Sequence, residues 1–598
     1  MEGLGFVVGV SRVVENRPAR VIRGPRPDSG AQLHALARRC RPVMKVSSVE
    51  RDRAKSSVVE AFIKVQNGSD VRGVAMDTFP EEPVTLKREY VAEIASSFAR
   101  WVATVKGKDI RDVRISLGRD SRLSGPELLQ ISAEAISSTG ASATDFELAT
   151  TPAMFMSTIL GEVPFDGAIM LTASHLPQNR NGLKFFTSQG GTGKADVKAI
   201  LLDAADAMDA RGGEPIPHSE ANIEKQDFMA TYSEHLVNII RRECDDPEDY
   251  DRPLAGTKIL VDAGNGAGGF FVHRVLNELG ADTTGSQFLD PDGSFPNHVP
   301  NPEDKIAMKM TSEAVIKNAA DLGVVFDTDV DRSGVVDAQG NEVNKNRYVC
   351  AFLSGDSGSS QLNTAPLLPY RLIAVVASIV LQEHQGTTIV TDSVTSNGLS
   401  AFIESKGGVH FRFKRGYKNV IDQGIELNIK GQDSQLSIET SGHGAMKENY
   451  MLDDGAYLAV KIIIELVRIK RRNKEQGVEV LYEGLGEPKE AVEYRIKFKS
   501  ADFDFKSYGS KLLADLAEFG KGVSEWELEK VNYEGFRFSV AEEGGKAGWF
   551  LLRQSLHDPL LPLNVESEVE GGVQAIVSTL KPFLERYSEL DLSVLPDA

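Results

Sequence analysis

Apolar and polar residues follow two patterns along the chain, one typical of strands and one typical of helices. From about Ser48, apolar runs of strand length are followed by segments whose apolar residues recur at helical spacing. VRISLG precedes a predicted helix at 127–139, and KILVDAGNGAGG precedes another at 271–279. Strands that alternate with amphipathic helices are typical of parallel βαβ units. The pattern therefore predicts an α/β fold.

Changes in this pattern predict the domain boundaries. The acidic, proline-containing stretch 245–253 interrupts it. After 487–490, the runs EYRIKFKS and GFRFSVAEE predict antiparallel strands in a smaller α+β unit. A chain of 598 residues is also too long for one core. We predict three α/β mixed-sheet domains at 48–250, 251–346 and 371–488, followed by a C-terminal α+β domain at 489–598.

The first 47 residues differ in composition from the rest of the chain. Eight arginines and only three acidic residues lie before Met44 and Lys45. Such a segment is typical of an organelle transit peptide, although serine is sparse for one. We predict a presequence at 1–47 and a plastid location, with the cytosol as the alternative; a basic tail or a true start at Met44 also fits the sequence.

Residues 347–370 form an atypical insertion with no sustained period. Long structureless loops inside compact domains are uncommon. Removing the segment joins Asn346 to Arg371 and leaves NKNRLIAVVAS, a smooth helix start. Our hypothesis is a gene-model artefact such as a retained intron, or a rare splice form; the alternative is a genuine loop.

Charge and composition narrow the class of partner. The net charge of −19 repels a phosphate backbone, so nucleic acid is an improbable partner. The chain has no apolar run of roughly 18 residues, so we predict no membrane span. Three separated cysteines fit neither a zinc site nor a disulfide framework. The expected ligands are small molecules.

Two strings carry candidate chemistry. LTASHLPQNRNGLKFF follows the apolar run DGAIM, which places Ser174 and His175 in a loop at the carboxyl end of a predicted strand, where α/β sheets bind ligands. In GVVFDTDVDRSGVVD, aspartates stand at alternate positions after another strand. Alternate residues of an extended chain point to one side, so Asp327, Asp329 and Asp331 can converge on one hard cation.

The ordered motifs resemble the α-D-phosphohexomutase superfamily, which includes phosphoglucomutase, phosphomannomutase and phosphoglucosamine mutase. The resemblance begins near Val58 with SDVRGVAM and continues through GRDSRLSG, TASHLP, PDGSFPNHVPNPE, DTDVDR and ETSGHGAMKENYMLDDG. It implies four domains around a central cleft. It also implies an isomerase that moves a phosphoryl group between the 1- and 6-positions of glucose or mannose phosphates.

The resemblance assigns roles at the reacting end. Ser174 would carry the phosphoryl group, with His175 beside it, and would share Mg²⁺ with the three aspartates. Lys184 matches a family lysine near the reacting hydroxyl and is the general acid/base candidate. Arg119 would steady the phosphoryl group and Arg332 would orient the loop 327–332 that carries the three aspartates, the metal loop, with a structural salt bridge as the competing role for each. A hexose 1,6-bisphosphate would be intermediate and activator.

The resemblance also places the substrate. Glu439 and Ser441 would bind the sugar 3- and 4-hydroxyls, and His443 would either touch the substrate or order the loop. Lys414 and Gly416 belong to a further recognition loop, together with Arg415. Further along, Arg553 and Ser555 would hold the distal phosphate.

Two motifs depart from the family pattern. Thr328 and Val330 replace the glycines expected between the aspartates, which lowers backbone freedom. In RQSLHDP, Leu556 and His557 replace a glycine and a threonine of the phosphate loop. The altered phosphate loop and the insertion are compatible with a non-catalytic sugar-phosphate-binding paralogue. Phosphoglucosamine mutase is the alternative within the class, because it shares the Ser-Gly-His type of sugar loop, and a phosphatase that transfers to water is the third alternative.

Overall fold

The structure is a computed structural model that describes residues 57–216, 223–343, 370–500, 504–545, 547–555 and 558–596. The predicted presequence, most of the 347–370 insertion, and Leu556 and His557 lie outside the described residues. Tyr370, the last residue of the insertion, is buried, and its hydroxyl donates to the Glu566 carboxylate at 2.6 Å.

The first unit is an eight-stranded mixed sheet within the described residues, with strands in the order β1-β2-β6-β5-β3-β4-β8 and β7 paired to β6. The strands β3, β4, β5 and β8 run parallel, and β6 returns antiparallel beside β5. The strands are β1 Gln66–Asn67, β2 Asp70–Val74, β3 Arg114–Arg119, β4 Ser142–Leu148, β5 Gly167–Leu171, β6 Arg180–Thr187, β7 Gly190–Gly191 and β8 Glu224–Lys225. The α-helices are Ser57–Lys64, Arg88–Lys106, Gly125–Ser138, Thr151–Met156 and Lys194–Ala210.

The second unit has a three-stranded sheet in the described chain, with the order β11-β10-β9. Both β9 and β10 are wholly buried, as expected for parallel strands covered on both faces. The strands are β9 Ile259–Asp262, β10 Leu322–Phe326 and β11 Ser333–Asp337. The helix Lys305–Asn318 packs on the sheet. The helix Phe228–Cys244 packs on a short π-helix that spans Phe271–Leu276.

The third unit is a five-stranded sheet with the order β13-β12-β14-β15-β16 among the residues described. Here β12 pairs in parallel with β13 and β14, and the last two strands turn back antiparallel. The strands are β12 Thr388–Asp392, β13 Val409–Phe413, β14 Ser434–Ile438, β15 Gly444–Met446 and β16 Leu452–Asp453. The α-helices are Arg371–Glu383, Asn397–Ser405, Tyr417–Ile429 and Gly455–Arg472; 3₁₀ turns span Lys447–Asn449 and Val478–Leu481.

The fourth unit is an antiparallel sheet with two helices on one hydrophobic core. Its six described strands have the order β18-β19-β20-β21-β17-β22. They are β17 Glu490–Phe498, β18 Trp526–Leu528, β19 Phe536–Ala541, β20 Ala547–Leu552, β21 Leu560–Ser567 and β22 Leu590–Asp591. The helices are Phe505–Gly520 and Gly572–Leu584.

These sheets confirm the predicted fold class of three α/β units and a C-terminal α+β unit. One continuous apolar core joins parts of the first three units, including Phe155 of the first, Phe271 of the second and Ile463 of the third. In the described part of the chain, no helix is both long and apolar enough to cross a bilayer. The shared core holds the loops of three sheets against one another, and those loops carry the predicted site.

Candidate active site

Ser174 lies three residues after β5, in a strained and buried turn. Its backbone has φ 50°, a left-handed conformation that is uncommon for residues other than glycine. The side chain of Thr172 helps to hold it, because the Ser174 amide donates to Thr172 Oγ1 at 2.9 Å. The serine is only 3% exposed, so its hydroxyl faces the protein interior.

Arg122 supports this turn from below. Its fully buried guanidinium pairs with Asp120 at 3.2 Å. It also donates to backbone carbonyl oxygens of the loop between β5 and β6 that carries Ser174, the serine loop. These are the carbonyls of Ser174, Leu176, Pro177 and, at the start of β6, Arg180. Arg119, the predicted phosphoryl-steadying residue, donates to the Asp120 carbonyl at 3.1 Å. Arg122 was missed by the sequence reasoning, although it stands in the same GRDSRLSG motif.

The three predicted metal ligands converge directly after β10. Each of Asp327, Asp329 and Asp331 offers a carboxylate oxygen, and these atoms lie within 4.8 Å of one another. Oδ1 of Asp329 and Oδ1 of Asp331 are buried and have no hydrogen-bond partner among the described residues. Burial and the charge of Asp331 raise the pKa of Asp327 well above its usual range. Clustered, partly unpaired carboxylates fit a hard divalent cation, which would satisfy the free oxygens and relieve the repulsion.

The metal loop is supported from the first and second units. Thr151 donates from its hydroxyl to Asp329 Oδ2 at 2.5 Å and from its amide to the Asp329 carbonyl at 2.9 Å. The Ala267 amide donates to the Thr328 carbonyl at 2.8 Å. This support is needed because Val330, a β-branched residue, has φ 64°.

Arg332 joins the serine loop to the metal loop. The Ser174 hydroxyl lies 3.1 Å from Asp327 Oδ2, and Arg332 Nη2 donates to Ser174 Oγ at 3.2 Å and to Asp327 at 3.1 Å. His175 Nδ1 lies 2.7 Å from the same guanidinium nitrogen. Burial and the charge of Arg332 lower the pKa of His175 to about 3. His175 is therefore neutral and accepts this hydrogen bond, which makes it a partner of Arg332.

Lys184 lies on β6 and points at the predicted metal ligands. Its Nζ is 2.9 Å from Asp329 Oδ2 and 2.5 Å from Asp331 Oδ2. Burial alone would lower the pKa of Lys184, but these two carboxylates raise it well above its usual range. The Lys184 ammonium therefore neutralises part of the negative charge of Asp329 and Asp331, which a bound metal cation would also neutralise.

The predicted sugar loop follows β14. The Gly416 amide donates to Glu439 Oε1 at 2.6 Å, and Ser441 Oγ donates to Glu439 Oε2 at 3.2 Å. Burial and the charge of Asp392 raise the pKa of Glu439 to about 7. A buried carboxyl with a serine hydroxyl beside it forms a compact polar pair that can bind hydroxyl groups.

His443 lies between the sugar loop and the metal loop. Its Nδ1 is 2.9 Å from Ser441 Oγ, and its Nε2 is 3.9 Å from Asp331 Oδ1 and 3.8 Å from Asp453 Oδ2. Its ring stacks on Tyr417 with centroids 5.0 Å apart. Asp453, which the sequence reasoning did not single out, therefore faces the same space as His443 and Asp331.

The remaining predicted residues lie near the junction of the third and fourth units. Arg553 is 6% exposed, and its Nε has no hydrogen-bond partner within the described chain. Ser555 Oγ accepts a hydrogen bond from the Asp558 amide at 3.2 Å. Lys414 lies with its ammonium 5.5 Å from the centre of the Phe413 ring. A buried guanidinium with an unsatisfied donor fits an anion-binding position.

Three family models match the chain. Phosphoglucomutase/phosphomannomutase alpha/beta/alpha domain I matches residues 64–211, domain II matches 230–340 and domain III matches 369–483. The phosphoglucomutase of Neisseria gonorrhoeae is 26% identical over 86% of this chain and 95% of its own length. The phosphomannomutase/phosphoglucomutase of Pseudomonas syringae pv. tomato is 27% identical over 88% and 96%.

The fold agrees with these matches. The crystal structure of a phosphoglucomutase/phosphomannomutase family protein from Burkholderia thailandensis aligns with a TM-score of 0.67 and 24% identity, and the match covers 88% of this chain and 97% of that one. The family models, the relatives and the convergence of the TASHLP and DTDVDR motifs in one cleft all lead to the same assignment. The chain belongs to the α-D-phosphohexomutase superfamily and is an isomerase, a hexose-phosphate mutase.

Proposed function

We propose that the enzyme moves a phosphoryl group between the 1- and 6-positions of glucose or mannose phosphates, through a phosphoserine at Ser174 and a hexose 1,6-bisphosphate. The observation that carries the proposal is the contact between Ser174 Oγ and Asp327 Oδ2 at 3.1 Å, inside a cluster of three buried aspartates. A serine whose only role is to cap a turn has no need to lie beside a cluster of buried carboxylates. The same bisphosphate would serve as activator by loading Ser174.

Asp327, Asp329 and Asp331, with the phosphoryl group on Ser174, are the residues that would hold Mg²⁺. The buried Oδ1 atoms of Asp329 and Asp331, which have no hydrogen-bond partner among the described residues, support this assignment. When bound, the ion would supply positive charge next to the phosphoryl oxygens.

The chain's own groups account for the transfer. The sugar hydroxyl oxygen forms a bond to phosphorus as the bond from phosphorus to Ser174 Oγ breaks, and Oγ keeps that electron pair. Arg332 stabilises the charge on Oγ, to which it already donates at 3.2 Å. The hydroxyl proton passes to a basic group of the cleft, for which Lys184 is the candidate because it lies beside the proposed metal ligands. A cation bound to Asp329 and Asp331 would offset the carboxylate charges that keep Lys184 protonated, and would so favour its neutral, proton-accepting form. In the reverse direction the same group returns the proton.

Substrate binding would use the opposite side of the cleft. Glu439 and Ser441 would bind the vicinal 3- and 4-hydroxyls, and Arg553 would pair with the distal phosphate. Arg553 lies near Arg415, whose charge lowers its pKa after the larger effect of burial, while Glu534 and Glu493 act in the opposite direction. Two neighbouring cations are a favourable place for a phosphate.

The test combines product analysis with intact mass spectrometry. Purified protein, Mg²⁺, a trace of glucose 1,6-bisphosphate and each candidate 1-phosphate should give the 6-phosphate, and active protein should carry one phosphoryl group. Ser174→Ala should lose both that group and mutase activity by orders of magnitude. The control Ser138→Ala, at a helix end in the same unit, should keep both.

Each alternative has its own result. Glucosamine 1-phosphate as the preferred substrate would favour phosphoglucosamine mutase. Free phosphate without isomer would indicate a phosphatase, and binding without turnover would indicate a non-catalytic paralogue. Active enzyme with no phosphate on Ser174 would contradict the phosphoserine mechanism.

We also propose a plastid location, supported by the arginine-rich residues 1–47. A fluorescent protein fused after residue 47 should enter plastids, and cytosolic fluorescence would favour the alternative.

A further inference from the structure

The backbone of the metal loop touches the sugar-binding unit directly. The amide of Gly455, the first residue of the helix Gly455–Arg472, donates to the Val330 carbonyl at 3.2 Å. An isolated β-bridge also pairs Arg332 with His443. The third unit therefore contacts the segment that carries the second and third aspartates.

Gly455 leaves no space between the two backbones. A Cβ atom at this position would lie 2.4 Å from the Arg332 carbonyl carbon, 2.6 Å from its oxygen and 2.8 Å from its nitrogen. All three atoms belong to the backbone, so no side-chain rotation can make room. Any larger residue would have to move either the helix start or the metal loop.

The helix start is itself anchored to the helix Phe228–Cys244. The buried Asp454 carboxylate caps the helix by accepting from the Tyr457 amide at 2.9 Å. It also accepts from the Tyr232 hydroxyl, with distances of 2.9 and 3.0 Å to its two oxygens, and from Asn449 Nδ2 at 3.1 Å. These contacts fix where Gly455 meets Val330.

We infer that Gly455, anchored through Asp454 and Tyr232, positions the metal loop and thereby sets the affinity for the divalent cation. The inference rests on the proposed metal site. Its physical basis is Val330, which is held at φ 64° and whose carbonyl is the acceptor of the Gly455 amide. Without that contact the loop is free to relax away from the conformation in which the three aspartates converge. Gly455, Asp454 and Tyr232 are positioning residues, since they reach the cation only through the loop.

The test measures Mn²⁺ binding by electron paramagnetic resonance on the full-length protein without substrate. Gly455→Ala should raise the Mn²⁺ dissociation constant by about tenfold or more, the effect usual for residues that orient metal ligands. Gly486→Ala is the matched control, because its Cβ would have an ordinary contact of 3.6 Å with Gly398. It should leave the dissociation constant unchanged.

Tyr232→Phe provides a second variant if Gly455→Ala does not fold. It keeps the buried ring and removes only the hydroxyl that bonds Asp454, so a smaller rise in the dissociation constant is expected with an unchanged circular dichroism spectrum. In mutase assays the Mg²⁺ concentration for half-maximal rate should rise, whereas KM for the sugar phosphate should not.

The outcomes separate this inference from the proposed function. If wild-type protein binds Mn²⁺ and the folded variants bind it equally tightly, the positioning role is refuted and the proposed function stands. If wild-type protein binds no Mn²⁺, the metal site is wrong and the positioning role falls with it. Equal weakening by the Gly486→Ala control would also overturn the positioning role, since the effect would then be generic.

Discussion

Replacing Arg553 with alanine is expected to weaken substrate binding without destabilising the fold. The guanidinium is 6% exposed, and its Nε lacks a hydrogen-bond partner among the described residues. Burial and the nearby charge of Arg415 lower the pKa of Arg553. Glu534 and Glu493 offset part of the free-energy cost of burying this cation, and a bound phosphate would offset more of it.

The magnitude follows from the type of contact. A hydrogen bond to a charged group contributes about 1.5–3 kcal/mol, and about 1.4 kcal/mol corresponds to a factor of ten. Arg553→Ala should therefore raise KM for glucose 1-phosphate by about 10- to 150-fold in the coupled mutase assay. Arg553→Lys should recover only part of this, because a point charge does not reproduce the planar fork. The Tm of ligand-free Arg553→Ala should equal or exceed that of wild type.

Arg586→Ala is the matched control in the same unit. Its guanidinium lies over the rings of Phe519 and Phe583, at 5.3 and 5.8 Å from their centres, so its loss should lower Tm and leave KM unchanged. The same result for Arg553→Ala, a lower Tm with an unchanged KM, would refute the phosphate contact and show that Arg553 braces the C-terminal unit.

Three further outcomes are expected. Asp329→Ala should weaken metal binding and strongly raise the Mg²⁺ concentration for half-maximal rate, and an unchanged Mg²⁺ titration would count against the metal assignment. Val330→Gly removes the side chain from a left-handed backbone, so it should lower the free energy of unfolding in urea by about 1–3 kcal/mol less than Val324→Gly does. Val324 is equally buried, and an equal loss for both variants would exclude strain at Val330. Burial alone would lower the pKa of His298, but the hydrogen bond and charge of Asp262 raise it above 6.5. The free energy of unfolding that this pair contributes is therefore complete below pH 6.5 and is lost as the pH rises through the raised pKa. His298→Gln should remove that loss, and an unaltered pH profile of unfolding would show that the pair does not titrate.

The strand pattern of the sequence was sufficient to place the chemistry at strand ends. Apolar runs predicted β5 and β10, and Ser174 and Asp327 follow them within three residues. These strands belong to different sheets, so no spacing in the sequence could predict that the two side chains meet. That expectation depended on the family resemblance, and the structure now supplies its geometry.

Other features depend on packing that a sequence does not encode locally. Arg119 and Arg122 stand three residues apart in one motif, and only the folded loop shows that Arg122 turns inward to the carbonyls of the serine loop. Val330 adopts a left-handed conformation that favours glycine, because contacts from distant parts of the chain hold the loop around it. Sequence reasoning therefore located candidate reacting groups, but it did not locate the residues that position them.

The proposed reaction limits which residues of the cleft can select the hexose. Under the proposed reaction, Ser174 meets a hydroxyl or phosphate at either end of the sugar, so this end of the cleft cannot distinguish one hexose from another. Recognition then falls to Glu439 and Ser441, which form one polar pair held by the Gly416 amide.

Glucose, mannose and glucosamine share the 3- and 4-hydroxyl configuration and differ at carbon 2, whereas galactose differs from glucose at carbon 4. A pair that reads only the 3- and 4-positions should accept glucose and mannose phosphates with similar kcat/KM and reject galactose 1-phosphate by about 1–3 kcal/mol, the cost of leaving a buried polar group unpaired. Ser441→Ala should narrow the gap between glucose and galactose, and comparable rates for all three sugars in wild type would show that Glu439 and Ser441 do not read the hydroxyls.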